Sequence, residues 1–180
     1  MFVGIRDARR SPADRRYIES SYERYLDDLM RVSMNTGVFP AYGRGEDDSG
    51  DRQPEMMARW FVDDFSYPLA ILHDNAPVGF ALVSRPVLKN AQLDYRLAEF
   101  YVERELRRRG LGREAAELIF NRFDGRWEVV ELLRNQAAVK FWRAVVEGYT
   151  RGQYSESTAN GEMRLLFQSD PNRGRLRGVG

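Results

Sequence analysis

Glu99 and Glu103 alternate with Phe100 and Val102, so in an extended segment both carboxylates leave the same face, with Tyr101 between them. A carboxylate so placed can take a proton from an ammonium group, directly or through water. Just beyond, Arg107, Arg108 and Arg109 run into Gly110, Leu111 and Gly112, and apolar residues then recur at Ala115, Leu118 and Ile119 with helical spacing. A helix starting there presents free backbone N–H groups and its positive dipole end beside three guanidinium groups. That arrangement favours anions, phosphate above all. A proton acceptor and an anion cradle therefore lie next to each other in the chain.

Other chemistries are thinly supplied. The 180 residues hold no Cys, which excludes disulfides, thiolate metal sites and a Cys nucleophile. A single His, His73, argues against a His-based metal centre or a Ser-His triad, and its place at a strand end reads as structural. The formal net charge of +1 points neither to nucleic acid nor to an acidic membrane surface. No apolar run approaches the roughly 20 residues that span a bilayer, and the N-terminus lacks a signal-peptide pattern. A cytoplasmic, metal-free protein is expected.

The elements around the cradle follow from pattern. Phe2 to Arg6 is a short strand, and Ser11-Pro12 opens a helix with Ser11 as N-cap. Tyr17, Ile18, Tyr22, Tyr25, Leu26 and Leu29 carry that helix to about Met30 as a core or pocket wall. Residues 33 to 54 lose all periodicity and read as a long surface loop, with Glu46, Asp47, Asp48 and Asp51 as an acidic cluster. That cluster is a solvated loop or, alternatively, a lid attracting a cationic substrate. Pro54 begins a second helix to about Asp64. Pro68–Leu72 and Val78–Val83 form a hairpin around Asp74-Asn75-Ala76-Pro77. Leu97–Val102 is the strand before the cradle, and Asp124-Gly125 closes the cradle helix with a C-terminal glycine. Trp127–Leu133 is a strand, Asn135 caps the next helix, Gly148 ends it, and Tyr149–Tyr154 and Met163–Phe167 complete the sheet. The expected architecture is one mixed α/β domain over residues 1–168, ordered β-α-α-β-β-β-α-β-α-β-β, with 169–180 as a flexible tail.

The segment Arg107-Arg108-Arg109-Gly110-Leu111-Gly112 resembles the Q/R-x-x-G-x-G/A signature of the Gcn5-related N-acetyltransferases, the GNAT superfamily. Some 25 residues later Asn135, Ala138, Phe141 and Trp142 resemble its N-x-x-A-x-x-F-[YW] helix, and the order of elements is similar throughout. Gly125-Arg126-Trp127-Glu128-Val129 and the stretch from Phe141 to Tyr154 resemble a little-characterised predicted acetyltransferase subgroup.

The resemblance implies acetyl-CoA as co-substrate and a central strand that splays from its neighbour. It implies pyrophosphate binding at Arg107, Arg108, Arg109, Gly110, Leu111, Gly112 and Arg113. It also implies that Tyr101, Val102, Asn135, Phe141 and Trp142 line the cofactor, with a backbone N–H at Val102 as oxyanion donor, an effect of about 3 kcal/mol. Glu99 is the preferred base, and Glu103, nearer the strand mouth, the second choice. Two departures stand out. Where many members place a Tyr as general acid, this chain has Trp142, leaving Tyr149 and Tyr101 as substitutes. The run from Phe141 to Gly148 is also two residues longer than the family spacing. The implied activity is acetyl transfer to the primary amine of a small molecule, and the acidic cluster Glu46, Asp47, Asp48 and Asp51 suits a small cationic acceptor such as a polyamine or aminoglycoside. The alternatives are a non-catalytic acyl-CoA-sensing module and acetylation of protein N-termini or lysines. Many members dimerise, which leaves a homodimer open.

Overall fold

The computed structural model describes residues 2–36, 52–86 and 92–170. Within them the order is β1 (Val3–Asp7), α1 (Pro12–Thr36), α2 (Arg52–Val62), β2 (Ser66–His73), β3 (Ala76–Ser84), β4 (Tyr95–Val102), α3 (Leu111–Arg122), β5 (Arg126–Leu132), α4 (Gln136–Thr150), β6 (Tyr154–Ala159) and β7 (Glu162–Gln168). This is the mixed α/β order expected from the sequence. The strands form one sheet in the order β1-β2-β3-β4-β5-β7-β6. β4 and β5 are parallel, and the other neighbouring pairs are antiparallel.

Apolar clusters cover both faces of the sheet. On one face Ile18 of α1, Met57 and Phe61 of α2, and Phe80, Leu82 and Tyr101 of the strands are buried together. On the other, Ala116, Ile119 and Phe120 of α3 and Val139, Trp142, Val145, Val146 and Tyr149 of α4 pack on Leu69, Ala81, Val83, Leu97, Trp127 and Val129. No described helix is long and apolar enough to cross a membrane.

Several boundaries differ from expectation, each for a local reason. α1 continues past Met30 to Thr36, because no Gly or Pro interrupts the chain before Gly37. α2 begins at Arg52, ahead of Pro54. Proline is tolerated there because first-turn N–H groups have no intrahelical acceptor. Glu46, Asp47, Asp48 and Asp51 lie outside the described residues. Gly125 is not the glycine cap of α3: the helix stops at Arg122, Phe123 is already extended, and the Gly125 N–H donates to Ser169 Oγ at 2.9 Å. Ser169 is itself buried.

Gly148 does not end α4. The extra length keeps Trp142, Val145, Val146 and Tyr149 on one helical stripe facing the core, and the helix closes only at Arg151, in the left-handed region with φ 56°. Tyr149 is therefore a helical core residue and not the start of a strand.

Candidate active site

Gly110 adopts φ 86°, a left-handed conformation that suits glycine, and precedes the first helical residue of α3. Arg108 is left-handed as well, at φ 62°. The Glu114 N–H is the first of α3 to find a helical acceptor, the Gly110 carbonyl at 3.1 Å, which leaves the Leu111, Gly112 and Arg113 amides directed out of the helix end. Arg108, Arg109 and Arg113 are at least partly exposed around it. A Cβ on Gly112 would lie 3.4 Å from Phe141 and 3.8 Å from Phe100, so the cradle abuts both β4 and α4.

Beside the cradle the sheet opens. β4 and β5 pair over Tyr95–Leu97 and Trp127–Val129 only, then separate. The separation coincides with a bulge: Leu82 of β3 pairs with Glu99 and Val83 with Leu97, leaving Ala98 unmatched. The extra residue reverses the facing of everything after it. Leu97 points to the α3/α4 core, whereas Glu99 and Tyr101 turn to the α1/α2 side. The Glu103 N–H donates to the Val78 carbonyl at 2.9 Å. By antiparallel alternation, the Phe100 and Val102 amides then face away from β3, toward the side from which β5 has departed.

The acids on β4 are not equivalent. Glu99 is partly buried, its Oε2 accepts from the Tyr25 hydroxyl, and burial pushes its carboxyl up to about 7. That suits a group that must be a carboxylate and still hold a proton near neutrality. The same burial, with the Glu99 charge adding to it, drives the Tyr25 hydroxyl upward, so it stays protonated as a donor. Glu103 is engaged elsewhere: its Oε1 accepts from Tyr17 Oη at 2.9 Å and pairs with Arg24 at 3.2 Å. Tyr101 is 5% exposed and packs against Tyr25 and Phe80. Glu103, Tyr101, Arg24, Asp28 and Arg104 line a cavity of about 410 Å³ on this side of the sheet.

A sequence model described as the acetyltransferase (GNAT) family matches residues 31–145. The chain belongs to the GNAT acetyltransferase family. Its fold resembles an acetyltransferase from Thermus thermophilus, with a TM-score of 0.65 over 93% of this chain and 97% of that one at 16% identity. It also resembles yncA from Salmonella typhimurium, solved with its cofactor acetyl-CoA, with a TM-score of 0.55 over 94% and 95% of the chains at 13% identity. At such identities the likeness concerns the fold. No curated protein matches the sequence. GNAT enzymes take acetyl-CoA as co-substrate, and the open helix end, the left-handed Gly110 and the parted strands fit it.

Of the other residues that the GNAT signature singles out, some converge on this opening and some do not. Phe141 stacks on Phe100 at 6.0 Å, and Trp142, 5% exposed, meets both rings edge-on, making an aromatic wall under the split. Asn135 caps α4, its Oδ1 accepting from the Ala138 N–H at 3.4 Å, while its Nδ2 donates to Glu131 Oε1 at 3.3 Å. The Arg107 side chain turns from the cradle: Nε donates to the Val102 carbonyl at 2.7 Å and the guanidinium pairs with Asp28 of α1. Tyr149, expected as a substitute acid, is held away from the split. Its hydroxyl donates to Asn121 Oδ1 at 2.9 Å and accepts from the Asp170 N–H at 3.2 Å. It lies about 20 Å along α4 from Asn135, in the core on the opposite face of the sheet from Glu99.

Tyr17 and Tyr25 have the spacing of plain core, and nothing local marks them as partners of the β4 acids. Glu131 also escapes the motif-based reading, although it is the second acid whose burial pushes the carboxyl up to about 7. A signal for Glu131 is present: a carboxylate in the otherwise apolar run Val129–Leu133, just before a capping Asn.

Proposed function

We propose that this GNAT protein transfers the acetyl group of acetyl-CoA to the primary amine of a small molecule, with Glu99 as the base. What supports the reading is one juxtaposition: Glu99, held near neutrality by burial, stands where β4 and β5 part, beside Phe100, which borders the α3 cradle. Acetyl-CoA supplies the acetyl thioester. The Leu111, Gly112 and Arg113 amides with Arg108 and Arg109 hold its pyrophosphate, by charge-assisted bonds where guanidinium groups take part. Glu99 draws the proton from the acceptor ammonium, and the Phe100 and Val102 amides offer donors to the side where β5 has left. Tyr22, Tyr25 and Phe80 pack together on the Glu99 side of the sheet.

The test is thiol release from acetyl-CoA across a panel of primary amines, comparing wild type with Glu99→Gln. Wild type should turn over at least one amine, and the variant should lose about 100- to 10,000-fold in kcat while still binding coenzyme A. Tight coenzyme A binding with no release from any amine would sink the enzymatic reading and leave a sensing module.

A further inference from the structure

Arg107 opens the GNAT signature, yet its side chain is engaged within the protein. Nε donates to the Val102 carbonyl at 2.7 Å, and a second N–H of the same planar fork donates to Asp28 Oδ2 at 2.5 Å. The guanidinium also lies over the Tyr101 ring, 5.5 Å from its centroid. Asp28 takes Arg104 on its other oxygen, so one carboxylate of α1 ties down two points of the turn that leads from β4 to α3. Burial alone would raise the Asp28 carboxyl, but the hydrogen bonds from Arg107 and Arg104 outweigh it and hold it below the usual carboxylate range. Near neutral pH it is a fixed negative charge.

What Arg107 grips is the last peptide unit of β4. On one side of that unit the Glu103 N–H donates to the Val78 carbonyl at 2.9 Å, and on the other the Val102 carbonyl receives Arg107. In an extended strand a residue's N–H and C=O leave by the same edge. The Val102 carbonyl therefore lies beside the Val102 amide, on the edge that β5 has left. β3 pairs along one edge as far as Val102, whereas β5 pairs along the other only as far as Leu97. α1 itself is fixed to the sheet by other means: Ile18 in the core, Tyr17 on Glu103 and Tyr25 on Glu99. Ion pairs to half-exposed arginines add little to the stability of a fold, so the effect of Asp28 falls on local geometry. We propose that Asp28 is a positioning residue for acetyl transfer: acting through Arg107, it fixes the Val102 backbone so that the Val102 amide stays directed into the split. The proposal rests on the acetyl-transfer reading but not on Glu99 as the base or on the size of the acceptor.

Amide hydrogen exchange on the full chain without co-substrate reads the link directly. Asp28→Ala should speed exchange at Glu103 about tenfold or more, while core amides such as Ile71 and Val129 keep their wild-type rates. With an active amine, Asp28→Ala should lower kcat about 10- to 100-fold and leave KM for acetyl-CoA within about twofold. Arg107→Lys keeps the charge but not the fork and should lose as much, and adding Asp28→Ala to it should cost nothing further. Unchanged Glu103 exchange in Asp28→Ala overturns the proposal. So does a raised KM for acetyl-CoA with kcat intact, which would assign Arg107 to the pyrophosphate. If no amine is acetylated, the amine reading fails, and the exchange result by itself decides whether Asp28 holds Val102. If Asp28→Ala does not fold, Asp28→Asn, which keeps the shape and loses the charge, must show the same changes in smaller measure, and wild-type exchange there overturns the proposal equally.

Discussion

Tyr25 and Glu99, 74 residues apart in the chain, meet as donor and acceptor, hydroxyl to Oε2. The bond ties α1 to the residue just after the Ala98 bulge. It also opposes burial, since a donor to the carboxylate pulls its pKa down while desolvation pushes it up. The value near 7 is the balance of the two, with burial the larger.

Tyr25→Phe removes the donor and keeps the ring that packs on Phe80 at 5.7 Å and Tyr101 at 6.2 Å. The Glu99 carboxyl should then rise above about 7, moving the acid limb of the kcat/KM profile to higher pH. Stability should fall by about 1 kcal/mol, read by urea denaturation. An acid limb that moves the other way would show that the hydroxyl does not stabilise the carboxylate.

Tyr149→Phe should leave kcat within about twofold of wild type, because the Tyr149 hydroxyl bonds to Asn121 and the Asp170 backbone in the core on the opposite face of the sheet from Glu99. Its cost should be structural, about 1 kcal/mol for the lost bonds. A drop in kcat of about a hundredfold with an unchanged melting temperature would restore Tyr149 to the chemistry.

Asp14, 1% exposed, receives Arg6 through Nε at 2.5 Å and a second guanidinium N–H at 2.8 Å, and its hydrogen bonds to Arg6 hold the carboxyl below the usual range. A lowered folded-state value contributes stability above the unfolded pKa, and that stability is lost as pH falls through the folded value. Arg6→Met should therefore cost about 1–3 kcal/mol at pH 7, less than a fully buried pair because Arg6 is half-exposed. The gap from wild type should narrow below about pH 4. Urea denaturation at both pH values checks it, and a gap that widens in acid would contradict the assignment.

Gly79 pairs with Val102, and a Cβ there would come 2.3 Å from the Tyr101 carbonyl oxygen and 3.1 Å from Val102 Cα. Gly79→Ala must push β4 away from β3 at the end that carries the site. Calorimetry should show a loss of about 1–3 kcal/mol. Activity should fall further than the folded fraction does, and a fully active, equally stable variant would mean that β3 and β4 adjust freely.

How legible the molecule is in its sequence depends on the range of the interactions involved. The element order and the cradle are local: helix and strand periods, the Ser11 and Asn135 caps, and glycines among consecutive amides at the α3 N-terminus all act over a few residues, so composition and spacing alone determine them. The roles of the side chains around the split are not local. Glu103 is engaged by Tyr17 and Arg24, Arg107 is drawn to Asp28, and Tyr149 is carried into the core by two extra residues in α4. Burial of Glu99 under Tyr25 where two strands part needed the packed sheet. A carboxyl's affinity for its proton is set by the solvent it has lost and the charges brought beside it, and only tertiary structure decides either.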